Sequence, residues 1–188
     1  SMIPFSRYIG IITVAVLIYN STSTADTLPF NRLVTTPTAG SIPFRAYTLE
    51  THLFDGGGLV ETATFGLHEL INVGVSYGGA DLIGASSSVF QPHLAFQARI
   101  RFVEETMYNP AVSIGFDSQG IGPYVKSGEA SRFQVKSRGA YIVASRNYRL
   151  LGDLGFHLGA NYSLEDSDGD KDPSFWGGFN KSLGPFAE

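Results

Sequence analysis

The chain has no cysteine, one tryptophan and two methionines among its 188 residues. Disulfides and thiolate metal sites are therefore excluded, which fits an oxidising envelope compartment. Charge is scarce too: Asp, Glu, Lys and Arg make up 16% of the chain, against about a quarter in soluble domains. The formal net charge of −4 is too small to call for a nucleic-acid partner. No stretch has the period of an amphipathic helix that could cover a sheet. The one uncharged apolar run, Ile9 to Tyr19, falls short of the roughly twenty residues a membrane-crossing helix needs.

What is present is alternation. Ile71-Asn72-Val73-Gly74-Val75-Ser76-Tyr77 and Leu94 through Phe102 switch between apolar and polar at every residue, and Val112–Asp117 and Leu154–Leu164 repeat the pattern. A period of two belongs to strands whose two faces meet different solvents. With 22 glycines and 13% aromatics, this predicts an all-β protein, an antiparallel up-and-down transmembrane β-barrel of about eight to ten strands. Strands are expected at about 44–54, 59–67, 70–79, 91–104, 110–117, 131–148, 153–164 and 174–183. The connections alternate between long and short from the second strand onward, as they do in barrels with long outer loops and short periplasmic turns. The first hairpin, Asp55 to Gly58, is the exception.

Tyr47, Leu49, Phe65, Val75, Phe96, Ile100, Ile114, Phe133, Val135, Tyr141, Phe156 and Leu158 are expected to face lipid. Glu50, His52, Asn72, His93, Gln97, Asp117, Gln134, His157, Asn161 and Asn180 are expected to face the lumen. A soluble β-sandwich that binds carbohydrate would bury the same apolar faces against each other, but leaves the missing charge unexplained. Gly74, Gly115 and Gly159 occupy matching lumen positions. They predict either a flattened corner, the plainer expectation, or close approach of an inserted segment.

The N-terminus reads as a signal peptide over 1–25: Arg7, the apolar run, then small residues before Asp26. Residues 26–43, rich in Pro and Thr, are expected to form an irregular periplasmic or lumen insert, and 44–188 the barrel. An exported chain of this kind belongs in the outer membrane of a Gram-negative bacterium, with lipid, lipopolysaccharide and the barrel-assembly machinery as partners. The last strand is followed by Gly184-Pro185 and not by a terminal aromatic residue, which reads as a truncated chain or as closure by other means.

Three constellations could carry chemistry. Arg99, Arg101, Lys136 and Arg138 form a predicted basic lumen stripe at neighbouring heights, suited to anionic solutes such as phosphates or uronic-acid sugars. The plainer expectation is internal pairing with Glu50, Asp117 or Glu104. Asp166, Asp168, Asp170 and Asp172 alternate in one loop, a spacing that could hold calcium, although it also suits a solvated turn. The histidines His52, His93 and His157, with Ser76, Ser113 and Ser163, invite a hydrolase reading, but no Gly-x-Ser-x-Gly elbow is present.

Asn31-Arg-Leu-Val-Thr-Thr-Pro-Thr-Ala-Gly40, Gly74-Val-Ser-Tyr-Gly-Gly79 and Gly115-Phe-Asp-Ser-Gln-Gly120 together resemble a family of bacterial outer-membrane barrels distantly similar to the YjbH group. The likeness extends over most of the chain after residue 25. It implies a non-enzymatic barrel with a structural or envelope-surface role, linked to exopolysaccharide export or binding, and assigns no functional residues. A narrow anion-selective pore and a lipid-modifying barrel enzyme remain open beside it. The enzyme would show a His–Ser pair within about 3 Å.

Overall fold

The computed structural model describes residues 12–16, 32–33, 36–84, 87–127, 130–149, 153–165, 169 and 172–181. Among them there is no helix. The strands are β1 (Ile12–Val16), β2 (Arg32–Leu33), β3 (Thr36–Pro37), β4 (Tyr47–Phe54), β5 (Gly58–His68), β6 (Ile71–Ala80), β7 (Val89–Phe90), β8 (Ala95–Val103), β9 (Ala111–Asp117), β10 (Ile121–Ser127), β11 (Ala130–Val135), β12 (Gly139–Arg149), β13 (Asp153–Tyr162) and β14 (Ser174–Lys181). One antiparallel sheet runs β1-β4-β5-β6-β8-β9-β12-β13-β14, and β7 pairs with β6. It curls into an open half-barrel.

The period of two sets the curl. Outward from the sheet point Phe65, Val75, Tyr77, Phe96, Ile100, Phe102, Ile114, Ile142, Phe156, Leu158 and Phe179, all exposed. Inward point Thr62, Thr64, Asn72, Ser76, Arg99, Ser113, Asp117, Ser145 and His157, all buried. A β-protein normally hides its apolar side chains and wets its polar ones. Here the two are exchanged.

The expected strand over 131–148 is two strands. β11 ends at Val135, three residues turn, and β12 begins at Gly139 with φ +63°. β11 pairs back onto β10, so the expected loop from Ser118 to Ala130 is largely a hairpin. The interruption also shifts the phase of the alternation. Carried straight through, the pattern puts Phe133, Val135 and Tyr141 outside together. In the structure Tyr141 faces inward, and Phe133 is buried in the hairpin with its ring edge-on to Tyr124 at 5.1 Å. A slip of one residue reverses every later side chain.

At Gly74, Gly115 and Gly159 the nearest neighbours are side chains of the next strand and not residues of the insert. Each stands directly across from a large side chain of the next strand: Gln97, Tyr141 and Trp176 respectively. A Cβ at these glycines would collide with those side chains. The glycines are therefore seats for their cross-strand neighbours, as in the pairing of strand glycines with aromatics.

Arg32–Leu33 and residues 36–42 lie against the concave face. Ala39 joins Ala111 and Val143 in one small core, with Tyr141 and Trp176 packed on it. At the end that carries the long loops, Phe54, Val60 and Ala80 form a second core. Ile121 of the β10–β11 hairpin closes it, so the hairpin folds across the mouth.

Candidate functional site: the filled concave face and its mouth

Arg32 is the hub of the interior. Its Nη2 donates to Asp117 Oδ2 at 3.0 Å and to Gln97 Oε1 at 3.0 Å, while Nε lies 4.0 Å from Glu50 Oε2. Gln97 in turn hydrogen-bonds to Thr64. The insert thereby ties β4, β8 and β9 together through one guanidinium. Charge-assisted bonds of this kind are the stronger sort.

Deeper in, Asn72 holds the chain reversal of the insert. Its Oδ1 accepts from Ile42 N at 3.1 Å and its Nδ2 donates to Ile42 O at 2.9 Å. Arg99 donates to Asn72 Oδ1 at 3.2 Å and to Thr38 O at 3.1 Å. Ser113 Oγ donates to Ala39 O at 3.3 Å. The buried polar wall is thus satisfied largely by backbone groups of the insert, as a dry interior requires.

The predicted basic stripe is divided. Arg99 and Arg101 both point inward from β8, Arg99 into the insert and Arg101 towards Glu104 at 3.9 Å. Lys136 and Arg138 stand instead on the turn between β11 and β12, at the mouth, where Arg138 lies 5.4 Å over the Trp176 ring. The acids expected to neutralise the stripe, Glu50 and Asp117, are taken by Arg32. That residue is the one the sequence reading missed. Its signal was present: between Thr27 and Pro43 it is the single charged residue, in a stretch expected to enter a lumen holding two carboxylates.

Of the proposed calcium loop, Asp166, Asp168 and Asp170 lie outside the described residues, and Asp172 lines the mouth. Among the described residues no cluster of metal-ligating side chains occurs. His93 is exposed, with its ring 6.4 Å from that of Tyr124, and Gln134 is exposed on the hairpin.

One buried chain of hydrogen bonds was not foreseen. Ala39 N donates to Ser145 Oγ at 2.8 Å; Ser145 Oγ lies 2.7 Å from His157 Nδ1; His157 Nε2 lies 2.7 Å from Asn180 Oδ1. With Asn180 Oδ1 as the acceptor at Nε2, the neutral imidazole carries its N–H there, and Nδ1 accepts from the Ser145 hydroxyl. That is the arrangement of nucleophile, base and orienting amide. Both Ser145 and His157 are buried, and Ala39 covers the serine.

At the mouth a cleft of about 330 Å³ opens between the β4–β5 wall and the β13–β14 wall, under the β10–β11 hairpin. Arg32, Lys136, Arg138 and Trp176 line it with Asn161 and Ser163. Compared with family models, curated proteins and solved structures, the chain matches none.

Proposed function

We propose that this chain is a small outer-membrane β-barrel of a Gram-negative envelope, with a structural or cell-surface role and a lumen filled by its own N-terminal insert. The observation that carries this reading is the outward face. From β4 to β14 it is a largely apolar surface of Phe, Ile, Leu, Val and Tyr, interrupted near mid-strand by Glu61, whose carboxylate accepts from Thr51 Oγ1 at 2.7 Å, and near one end of β12 by Arg146. Exposed apolar surface on this scale calls for lipid or another apolar partner.

Parity permits closure. The strands β4, β5, β6, β8, β9, β12, β13 and β14 are eight, each antiparallel to the next, so β14 runs antiparallel to β4 and can pair with it. The edge of β4 that β14 needs is held by β1. β1 is the centre of the apolar run read as a signal peptide; once that segment leaves on export, the edge becomes free. A filled lumen also weighs against the anion pore, since Arg99 is engaged by the insert and the insert's Arg32 is engaged by Asp117 and Gln97. A polysaccharide role then belongs to the mouth and loops rather than to a channel.

The experiment uses the absence of cysteine. Single cysteines placed on β4 (at Leu49 or Thr51) and on β14 (at Gly177 or Phe179) should cross-link in outer-membrane fractions, and the protein should migrate faster unboiled than boiled. A chain that stays soluble without detergent and never cross-links would end the proposal.

The Ser145–His157–Asn180 chain favours a second reading, a barrel acyl hydrolase masked by its insert. Ser145 Oγ would add to an ester carbonyl and pass its proton to His157 Nδ1, which returns it to the leaving alcohol; water then releases the acid. A fluorophosphonate probe should label Ser145 when the insert is displaced, for instance in Arg32→Ala. No labelling in that variant would dismiss this reading.

A further inference from the structure

Arg146 is out of place on the outward wall. It stands near the end of β12 that carries the short turns, on the same face as Ile142 and Tyr148 and directly across from Phe156 of β13. We infer that its guanidinium holds the phosphate of a phospholipid headgroup, whose acyl chains run along the apolar wall beside it. The inference rests on the reading of this wall as lipid-facing. It does not depend on how the sheet closes, because β12 and β13 are interior strands.

The cation is fixed in position and keeps its charge. Arg146 Nη2 donates to Met107 O at 2.7 Å and Nη1 donates to Tyr108 O at 3.2 Å, which fastens the β8–β9 turn to it. Both acceptors are neutral carbonyls, and most N–H donors of the guanidinium stay unused. The acids of the same turn are engaged elsewhere. Glu105 accepts from Asn147 N at 2.6 Å and from Asn147 Nδ2 at 2.7 Å, and Glu104 lies 3.9 Å from Arg101. Among the described residues no carboxylate forms an ion pair with Arg146. A positive charge set in a lipid-facing wall calls for an anion, and guanidinium and phosphate match as charge-assisted partners.

The surroundings suit the rest of the lipid. The Tyr148 ring lies 5.3 Å from the guanidinium and meets the Phe156 ring edge-on at 6.0 Å. Tyr108, 82% exposed on the fastened turn, adds a second phenol to the rim. Tyrosines of this kind belong at the headgroup level of a bilayer. Two residues along β12 on the same face, Ala144 stands between Val112 and Leu158 in the ladder. Its short side chain leaves a shallow track for an acyl chain in line with Arg146. Recognition therefore needs both parts: free phosphate lacks the apolar anchor, and diacylglycerol lacks the anion.

Native mass spectrometry of the full chain released from maltoside micelles reads lipid retention directly. A single phosphatidylglycerol should be retained per chain, diacylglycerol with the same acyl chains should be lost, and excess inorganic phosphate should not displace the lipid. Arg146→Gln should weaken retention about tenfold, and Arg146→Lys should restore part of it. Asn147→Ala, which loosens the same turn without touching the cation, should leave retention as it is. Heat-modifiable mobility of each variant separates lost binding from lost folding. Equal retention of diacylglycerol, displacement by phosphate, or a loss in Asn147→Ala matching that in Arg146→Gln would each overturn the inference. A chain soluble without detergent would remove the membrane reading and this inference together. A detergent-dependent chain whose lipid retention is indifferent to Arg146→Gln would remove the inference alone.

Discussion

A single missing carbon atom explains much of the inner wall. At Gly115 the Tyr141 ring lies where a Cβ would stand, and Trp176 does the same at Gly159. Glycine in mid-strand usually costs stability, so replacement by alanine would ordinarily help. Here the expected effect is the opposite: Gly115→Ala should destabilise by about 1–3 kcal/mol because the tyrosine has to leave its rotamer. In a Tyr141→Ala background the same change should cost less, since the ring is gone and only the close approach to the Ala98 carbonyl oxygen remains. Urea unfolding of the four proteins of this cycle measures the coupling, and simple additivity would refute the seating role. None of this was legible from spacing alone. The three glycines were recognisable as a matched set, but which neighbour fills the gap depends on the cross-strand register. The case of Arg32 is similar: its lack of charged sequence neighbours could be read, its two carboxylate partners only after folding.

Elements were legible wherever both faces of a strand kept one environment along its whole length. β5, β6, β9 and β13 fall within a few residues of their expected positions, because hydrophobic alternation and turn residues agree there. The main failure lies in residues 118–141. The hairpin leaves the sheet, packs Ile121 against Phe54 and Val60, and so has its own inside and outside. β11 alternates as the sheet strands do, and periodicity cannot tell which core it refers to, while β10, with Pro123-Tyr124-Val125 in succession, hardly alternates. The turn that returns the chain to the sheet is anchored from the next loop: Ser137 N donates to Glu165 Oε2 at 3.1 Å. This tether fixes where Lys136 and Arg138 project, and hence why two members of the expected stripe stand at the mouth and two within the wall.

For the whole molecule the decisive quantity is the free energy of the outward face in its solvent. Ile100 and Ile114 lie opposite each other near the middle of β8 and β9, both exposed. Facing lipid at the midplane, Ile100→Arg should cost about 2–4 kcal/mol of folding stability in bilayers. On a water-facing sheet the same change would stay within about 0.5 kcal/mol. Unfolding titrations in lipid vesicles separate the two, and a near-zero cost would remove the membrane from the account. The insert carries a further consequence, for the order in which the molecule can fold. Ala39 bonds to Ser145, 106 positions away, and Arg32 to Asp117, 85 positions away. Contacts of such sequence separation form only after much chain entropy has been surrendered. The insert therefore has no complete binding surface until β9 and β12 are in place. Its docking belongs to the slow last step of folding, and the interior stays wet until then.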